Sequence, residues 1–277
     1  MQILSLQSSV ATGAVGNSAA VFCLQRLGYD VARIDTVRFS NHPGHGGFAG
    51  GPADAAEMAA LVAGIDARGL FAGCRCVLSG YLGSGAQGAV VADAVARAKR
   101  ANPTAFFALD PVMGDRGRVF VKPDTVDAVR ALEPLADLLF PNAFELALLT
   151  GDTVATAAEA LAAAQKLRTG RPTRIVVATS VPLADGIGTL AVGPAGSYLA
   201  RSPAIDHPAF GAGDTFAALF LAHYLAGDTL ADCLQKAVSA VHAVLTATAK
   251  AGVLDLLLVA CQQDLAHPPA LFPVAEL

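Results

Sequence analysis

Short apolar runs rich in Val, Ile, Leu and Phe alternate along the chain with stretches whose apolar positions recur every three or four residues. Gln2–Gln7, Val31–Val37, Cys76–Ser79, Ala105–Asp110, Asp137–Phe140 and Arg174–Thr179 read as strands. Gly16–Leu27, Pro52–Ala67, Gly85–Arg100, Asn142–Thr150 and Ala155–Leu167 read as helices. Residues 38–51 form a loop dense in Gly, His and Asn. Gly188–Val192 and Ser197–Arg201, with Gly-marked turns between them, read as a hairpin-like pair. From Gly213 onward the pattern is almost wholly helical, with breaks near Gly227, Gly252 and Pro268. Strands separated by helices predict a mostly parallel α/β sheet with helices on both faces. No linker, repeat or low-complexity tract divides the chain, so residues 1–277 read as one domain. In such sheets ligands sit beyond the carboxyl ends of the strands, which directs attention to residues just after each one.

Composition narrows the function classes. Hydrophobic residues make up 54% of the chain and charged residues 15%, enough for a large core and against disorder. The net charge of −4, without any dense Lys/Arg run, disfavours nucleic acid as a partner. It does not disfavour a phosphate ligand, because backbone amides bind anions without basic side chains. The five cysteines, Cys23, Cys74, Cys76, Cys233 and Cys261, are odd in number and scattered. They read as free thiols suited to a reducing cytosol, not as a zinc site. Met1–Gln7 reads as a first strand, not a signal peptide, and the apolar stretch Leu254–Cys261 is too short to span a bilayer. The expectation is a cytoplasmic protein with no membrane partner.

Four segments can carry chemistry. In Gly211-Ala212-Gly213-Asp214 the glycines permit a tight turn with successive N–H groups exposed, opening onto a helix N-terminus that favours an anion. A carboxylate at Asp214 can take a proton from an attacking hydroxyl beside a transferred phosphoryl group. The same tetrapeptide also reads as a capped helix start. Asp110-Pro111-Val112-Met113-Gly114-Asp115 puts two carboxylates at a strand end, where they can hold magnesium through water, or simply make a turn. Asn142 and Glu145 have the spacing of a capping box, and Glu145 can also face phosphates and their magnesium. Phe39-Ser40-Asn41-His42-Pro43-Gly44-His45-Gly46-Gly47 reads as a flap over a substrate, since no Cys or carboxylate cluster joins its histidines as metal ligands. Tyr81, after Ser79-Gly80, can stack on a flat ligand or pack at the sheet rim. No P-loop and no protein-kinase signature is present.

Together these motifs resemble the ribokinase-like superfamily, and within it the pyridoxal kinases. The resemblance runs almost end to end. It is carried by Gln7-Ser8, Gly16-Asn17-Ser18-Ala19-Ala20, Val37 with Phe39-Ser40-Asn41-His42, and Leu78-Ser79-Gly80-Tyr81-Leu82-Gly83. Asp110 to Asp115, Pro141-Asn142-x-x-Glu145 and Gly211-x-Gly213-Asp214 follow in the same order. The resemblance implies a three-layer α/β/α fold and a magnesium- and ATP-dependent transfer to the 5′-hydroxymethyl group of pyridoxal. It places Ser8 on the pyridine ring, with Val37, Phe39 and Tyr81 lining the pocket. Asp110, Asn142, Glu145 and Thr179 serve the nucleotide, with Asp110, Asp115 and Glu145 toward its metal. Asp214 becomes the base, and the amides of Gly211, Ala212 and Gly213 the anion hole. A cytosolic homodimer that responds to potassium is also implied. The sequence departs from the family at Pro43, where a Thr often follows Asn-His, at Phe140, where Thr often precedes Pro-Asn, and at Phe120, near a position usually filled by Tyr.

Other readings keep part of this picture. A hydroxymethylpyrimidine kinase shares fold and mechanism. A non-catalytic vitamin B6 binder keeps the pocket without turnover. A sugar kinase needs several polar side chains, where this chain offers Val37, Phe39 and Tyr81.

Overall fold

The computed structural model describes all 277 residues. Ten strands form one sheet. Its centre comprises β1 (Ile3–Val10), β2 (Val31–Phe39), β4 (Cys76–Ser79), β5 (Phe106–Leu109), β8 (Leu138–Leu139) and β9 (Ile175–Leu183), in the spatial order β9-β8-β5-β4-β1-β2 and all parallel. Antiparallel strands finish both edges: β3 (Gly50–Pro52) beside β2, and β10 (Gly186–Gly193), β11 (Gly196–Ser202) and β12 (Val274–Glu276) beyond β9. A separate hairpin, β6 (Gly114–Asp115) with β7 (Arg118–Val119), stands above the end of β5.

The central strands are buried on both faces, which is why they read as continuous apolar runs. In β4, Cys76 and Leu78 enter one core and Val77 the other. The first core lies under α1 (Asn17–Arg26), α7 (Ala212–Ala226) and α8 (Leu230–Ala251). The second lies under α2 (Ala55–Ala67), α3 (Ala86–Ala101), α4 (Pro123–Leu132), α5 (Ala143–Thr150) and α6 (Ala157–Leu167). A short α9 (Gln262–Ala266) adds Leu265 to the first core. The expected three-layer arrangement is present.

Local differences from the sequence reading have local causes. β1 runs on to Val10, past a register shift opposite β2 between Gln7 and Ser9. α2 begins at Ala55, because Asp54 caps it by accepting from the amides of Ala56 and Glu57, and Pro52 pairs instead with Val37. The loop 38–51 therefore contains the far arm of a β2–β3 hairpin. The pattern did not reveal α4, which opens on Pro123 at its first turn. Nor is the tail wholly helical, since Val274–Glu276 pairs with β11.

Candidate active site

α7 starts abruptly. Gly211 caps it with φ of +91°, a conformation that disfavours any side chain, and a Cβ there would run into the Ala14 carbonyl oxygen. The turn 211–213 is thus pressed against the loop that follows β1. Gly213 has open space around it. Asp214 lies in that first turn. Burial of its carboxyl raises its pKa, with the backbone amides of Gly16 and Asp214 pulling the other way. Gly16 has φ of +53° and sits against the Ser8 backbone, where a Cβ would meet the Ser8 carbonyl oxygen. Ser8, Gly16, Gly211 and Asp214 are therefore brought together by two positive-φ glycines.

Asn17, the first residue of α1, anchors this corner from beneath. Its amide donates to the carbonyls of Gln7 (3.2 Å) and Ile34 (3.1 Å) and to Asp35 Oδ1 (2.9 Å), and its Oδ1 accepts from Ser5 Oγ (2.7 Å). A fully buried polar side chain is tolerated because it is hydrogen-bonded throughout.

Asp110 follows β5, its amide donating to the Ser79 carbonyl (2.8 Å). The residue is buried, and its pKa is pushed well up, first by desolvation and then by the charges of Glu145 and Asp214. Glu145 is also buried, and desolvation raises it to about 7 against the pull of three amides. Those amides hold both carboxylate oxygens: Met113 (2.9 Å) and Gly114 (3.4 Å) donate to Oε1, and Asn142 (3.0 Å) to Oε2. Asn142 closes the capping box by accepting from the Glu145 amide (2.9 Å), and its own Nδ2 donates to the Gly114 carbonyl (2.8 Å). The capping and functional readings of this motif are compatible, since the box fixes Glu145 at the root of the β6–β7 hairpin. Thr179 stands beside Asn142 in a parallel bridge, its amide donating to the Pro141 carbonyl (2.9 Å). The next residue, Ser180, has φ of +56°, a left-handed conformation at a sheet position that no sequence signal announces.

Asp110 feels the charges of both Glu145 and Asp214, so these three carboxylates make the region around Asp110 acidic. Asp115 lies on the exposed hairpin beside Arg116, and its charge adds to the upward shift of Glu145. No three Asp, Glu, His or Cys side chains stand close enough to hold a metal ion directly. Buried carboxylates that repel one another and lack a cation suit a hydrated divalent ion, which satisfies them through its waters.

The residues called for the substrate lie on neighbouring strand ends. Val37 is buried on β2, and Phe39, at its end, packs on Phe48 with ring centroids 4.5 Å apart. Tyr81 is partly buried, and its carbonyl accepts from Thr36 Oγ1 (2.6 Å). Pro43 is exposed and opens a 3₁₀ turn in the flap. The flap reaches across to the segment before α7 and the segment after α8: His42 stacks on Phe210 (centroids 3.8 Å apart), and His45 Nε2 meets Asp255 Oδ1 at 3.1 Å. Phe210 directly precedes Gly211. Phe140 turns away from the ligand edge into the first core, edge-on to Phe220 (5.6 Å) and Phe216 (6.3 Å) of α7. Two cavities lie away from the cluster, one of about 390 Å³ along β1 and β2 and one of about 520 Å³ at the amino ends of β5, β8 and β9.

Residues 70–253 match the family described as pfkB family carbohydrate kinase. The pyridoxal kinase PdxY of Deinococcus radiodurans is 46% identical, over 98% of this chain and 94% of that protein. That of Rubrobacter xylanophilus is 45% identical, over 100% and 98%. The chain belongs to the pfkB kinase family, on its pyridoxal kinase branch. Among solved structures, the pyridoxal kinase of Leishmania donovani in complex with ADP and pyridoxine superposes with a TM-score of 0.93 at 32% identity, covering 100% of this chain and 99% of that one. The Entamoeba histolytica pyridoxal kinase, at 24% identity and a TM-score of 0.93, shows the same fold. Asp110, Asn142 and the Gly211–Asp214 turn follow the carboxyl-terminal side of the parallel sheet, where the topology predicts a ligand. No helix is long and apolar enough to cross a membrane. Beside the strand ends that carry Val37 and Tyr81, the motifs missed Gln87: it is fully buried in α3, and only its bonds to Gly83, Thr36 and Ala53 single it out.

Proposed function

We propose that this protein transfers the γ-phosphoryl group of ATP to the 5′-hydroxymethyl oxygen of pyridoxal, giving pyridoxal 5′-phosphate and ADP. The observation that carries this reading is Asp214, held with a raised pKa at the start of α7 behind the strained Gly211 turn, in a chain 46% identical to a pyridoxal kinase. The substrate hydroxyl attacks the γ-phosphorus, the bond to the β–γ bridging oxygen breaks, and the hydroxyl proton passes to the Asp214 carboxylate. Amides of Gly211, Ala212 and Gly213, with the α7 dipole behind them, stabilise charge on the transferred group. Ser8 holds the pyridine ring, while Val37, Phe39 and Tyr81 line its pocket and Pro43 borders it on the flap. Asp110, Asn142, Glu145 and Thr179 face the nucleotide.

Asp110 and Glu145 would hold magnesium, with Asp115 at the rim, and when bound with ATP the ion would neutralise phosphate charge. Phe140 offers an aromatic ring where the family often has a hydroxyl, and we assign no potassium-dependent step. The whole chain, residues 1–277, acts as one kinase domain, as a homodimer in the cytoplasm.

Purified protein with ATP and magnesium, offered pyridoxal, pyridoxine, pyridoxamine and hydroxymethylpyrimidine separately, tests the proposal. Phosphorylated pyridoxal is expected, with a loss of ~10²–10⁴-fold in Asp214→Asn. Turnover of the pyrimidine alone moves the chain to a hydroxymethylpyrimidine kinase. Binding of pyridoxal without any turnover makes it a vitamin B6 binder.

A further inference from the structure

Gln87 is the second residue of α3, and its side chain is completely buried. Both of its N–H groups and its oxygen are used. Nε2 donates to the Thr36 carbonyl (2.7 Å) and to the Ala53 carbonyl (2.9 Å), and Oε1 accepts from the Gly83 amide (2.9 Å). Thr36 and Ala53 lie one step beyond the last ladder pair of the β2–β3 hairpin, Val37 with Pro52, and are joined by the Ala53 amide donating to the Thr36 carbonyl (2.9 Å). The flap 40–49 is the tip of that same hairpin. Gln87 therefore grips both strands at the flap's root, and its third bond holds the loop after β4 that carries Tyr81.

Two further contacts tie the same three segments. Thr36 Oγ1 donates to the Tyr81 carbonyl (2.6 Å). Gly83 is packed so closely that a Cβ on it would lie 2.6 Å from Val37 Cγ2 and 2.9 Å from Pro52 Cβ. Val37 and Tyr81, two of the proposed pocket residues, are thus joined through a partly buried polar knot whose only helical member is the fully buried Gln87. At the other end the flap is held more lightly, by the His42–Phe210 stack and the partly exposed His45–Asp255 pair. One end of the flap is a buried joint and the other a surface latch. That is the layout of a hinged cover, in which rigidity at the root sets where the tip closes.

We infer that Gln87 is a positioning residue for the substrate: it fixes the root of the flap and the spacing between Val37 and Tyr81, and so sets affinity for the aromatic substrate without touching it. The inference rests on the pyridoxal kinase reading for the identity of that substrate, but not for the motion of the flap. The nucleotide residues Asp110, Asn142, Glu145 and Thr179 lie on other elements and make none of these bonds.

Gln87→Leu keeps the size of the side chain and removes all three hydrogen bonds. Steady-state kinetics with pyridoxal and ATP are expected to show a rise of ~10-fold in KM for pyridoxal, the effect of about one lost well-placed interaction, with KM for ATP changed less than about twofold. Gly83→Ala, which forces apart Val37 and Pro52 while leaving Gln87 in place, is expected to give the same split. It also keeps the test open if Gln87→Leu does not fold. Hydrogen exchange of the flap amides 41–49 in the substrate-free proteins provides a readout that needs no turnover: faster exchange in both variants, with the core strands unchanged, is expected. A lowered melting temperature with both KM values and flap exchange unchanged would mean that Gln87 only stabilises the fold, and the inference fails. Equal rises in both KM values overturn it as well. If the wild type does not phosphorylate pyridoxal, the functional reading falls, while flap exchange still decides the role of Gln87.

Discussion

The two glycines of the Gly211-Ala212-Gly213 turn make opposite demands, and replacing each by alanine separates folding from catalysis. At position 211 a side chain faces two penalties. A φ of +91° is one that residues with a Cβ rarely adopt, at a strain of about 1–3 kcal/mol. The Cβ would also strike the Ala14 carbonyl, so the loop after β1 has to move. With about 2–4 °C of melting temperature per kcal/mol in a chain of this size, Gly211→Ala is expected to melt several degrees lower and to lose most of its activity. At position 213 the added Cβ meets nothing within 4 Å, and the residue is already helical. Alanine is the better helix former by up to about 1 kcal/mol, so Gly213→Ala is expected to melt at the wild-type temperature or slightly above it. Its activity should nonetheless fall by at least about tenfold, because in the proposed mechanism the methyl group stands where phosphate oxygens approach the 213 amide. That is part of the ~10²–10³-fold effect of losing one such donor outright. Differential scanning calorimetry and a coupled ADP-release assay on both variants check this. A fully active Gly213→Ala would mean that phosphate does not approach the turn. A Gly211→Ala as stable as the wild type would refute the account of the turn itself.

Three further outcomes are expected. The proposed base, Asp214, has to be deprotonated to take a proton, and burial raises its pKa above the ordinary 3.8; the acid limb of kcat/KM should therefore lie above that of a free carboxylate, and a limb at or below 3.8 would exclude Asp214 as the group observed. Arg174 is buried, pairs with Glu133, and donates to the carbonyls of Glu133, Ala136 and Leu167; Arg174→Met leaves those acceptors unpaired and should cost about 3–5 kcal/mol in a urea melt, with KM for ATP unchanged. Ser79 Oγ is buried without a hydrogen-bond partner, so Ser79→Ala should be neutral or stabilising by about 1 kcal/mol; a clear loss of stability would reveal a partner for that hydroxyl.

Much of the architecture was legible in the chain, because a strand covered by helices on both faces must be apolar throughout. Val77 with Leu78 and Val176 with Val177 each send neighbouring side chains into opposite cores, and a pattern of that kind can be read without coordinates. The α4 helix was hidden because its start, Lys122-Pro123-Asp124, carries turn residues as well as a helix-opening proline. The strand Val274–Glu276 is too short to show an alternation and exists through its pairing with β11.

At the site, the glycine turn before Asp214 and the Asn142–Glu145 spacing were visible because they are local: both are helix starts, set by residues within one turn of each other. The chain alone therefore fixes the six central strands and most of the helices between them, the helix starts at Gly211 and Asn142, and the carboxylates beside those starts. Folding in three dimensions is what brings the charge of Asp214 to bear on Asp110, 104 residues away by their numbering, lays the Ser8 backbone against Gly16, and lets Gln87 join three segments. Such contacts depend on how layers stack and how closely glycines let backbones approach. That is a property of packing between distant elements, and no periodicity along a single element encodes it.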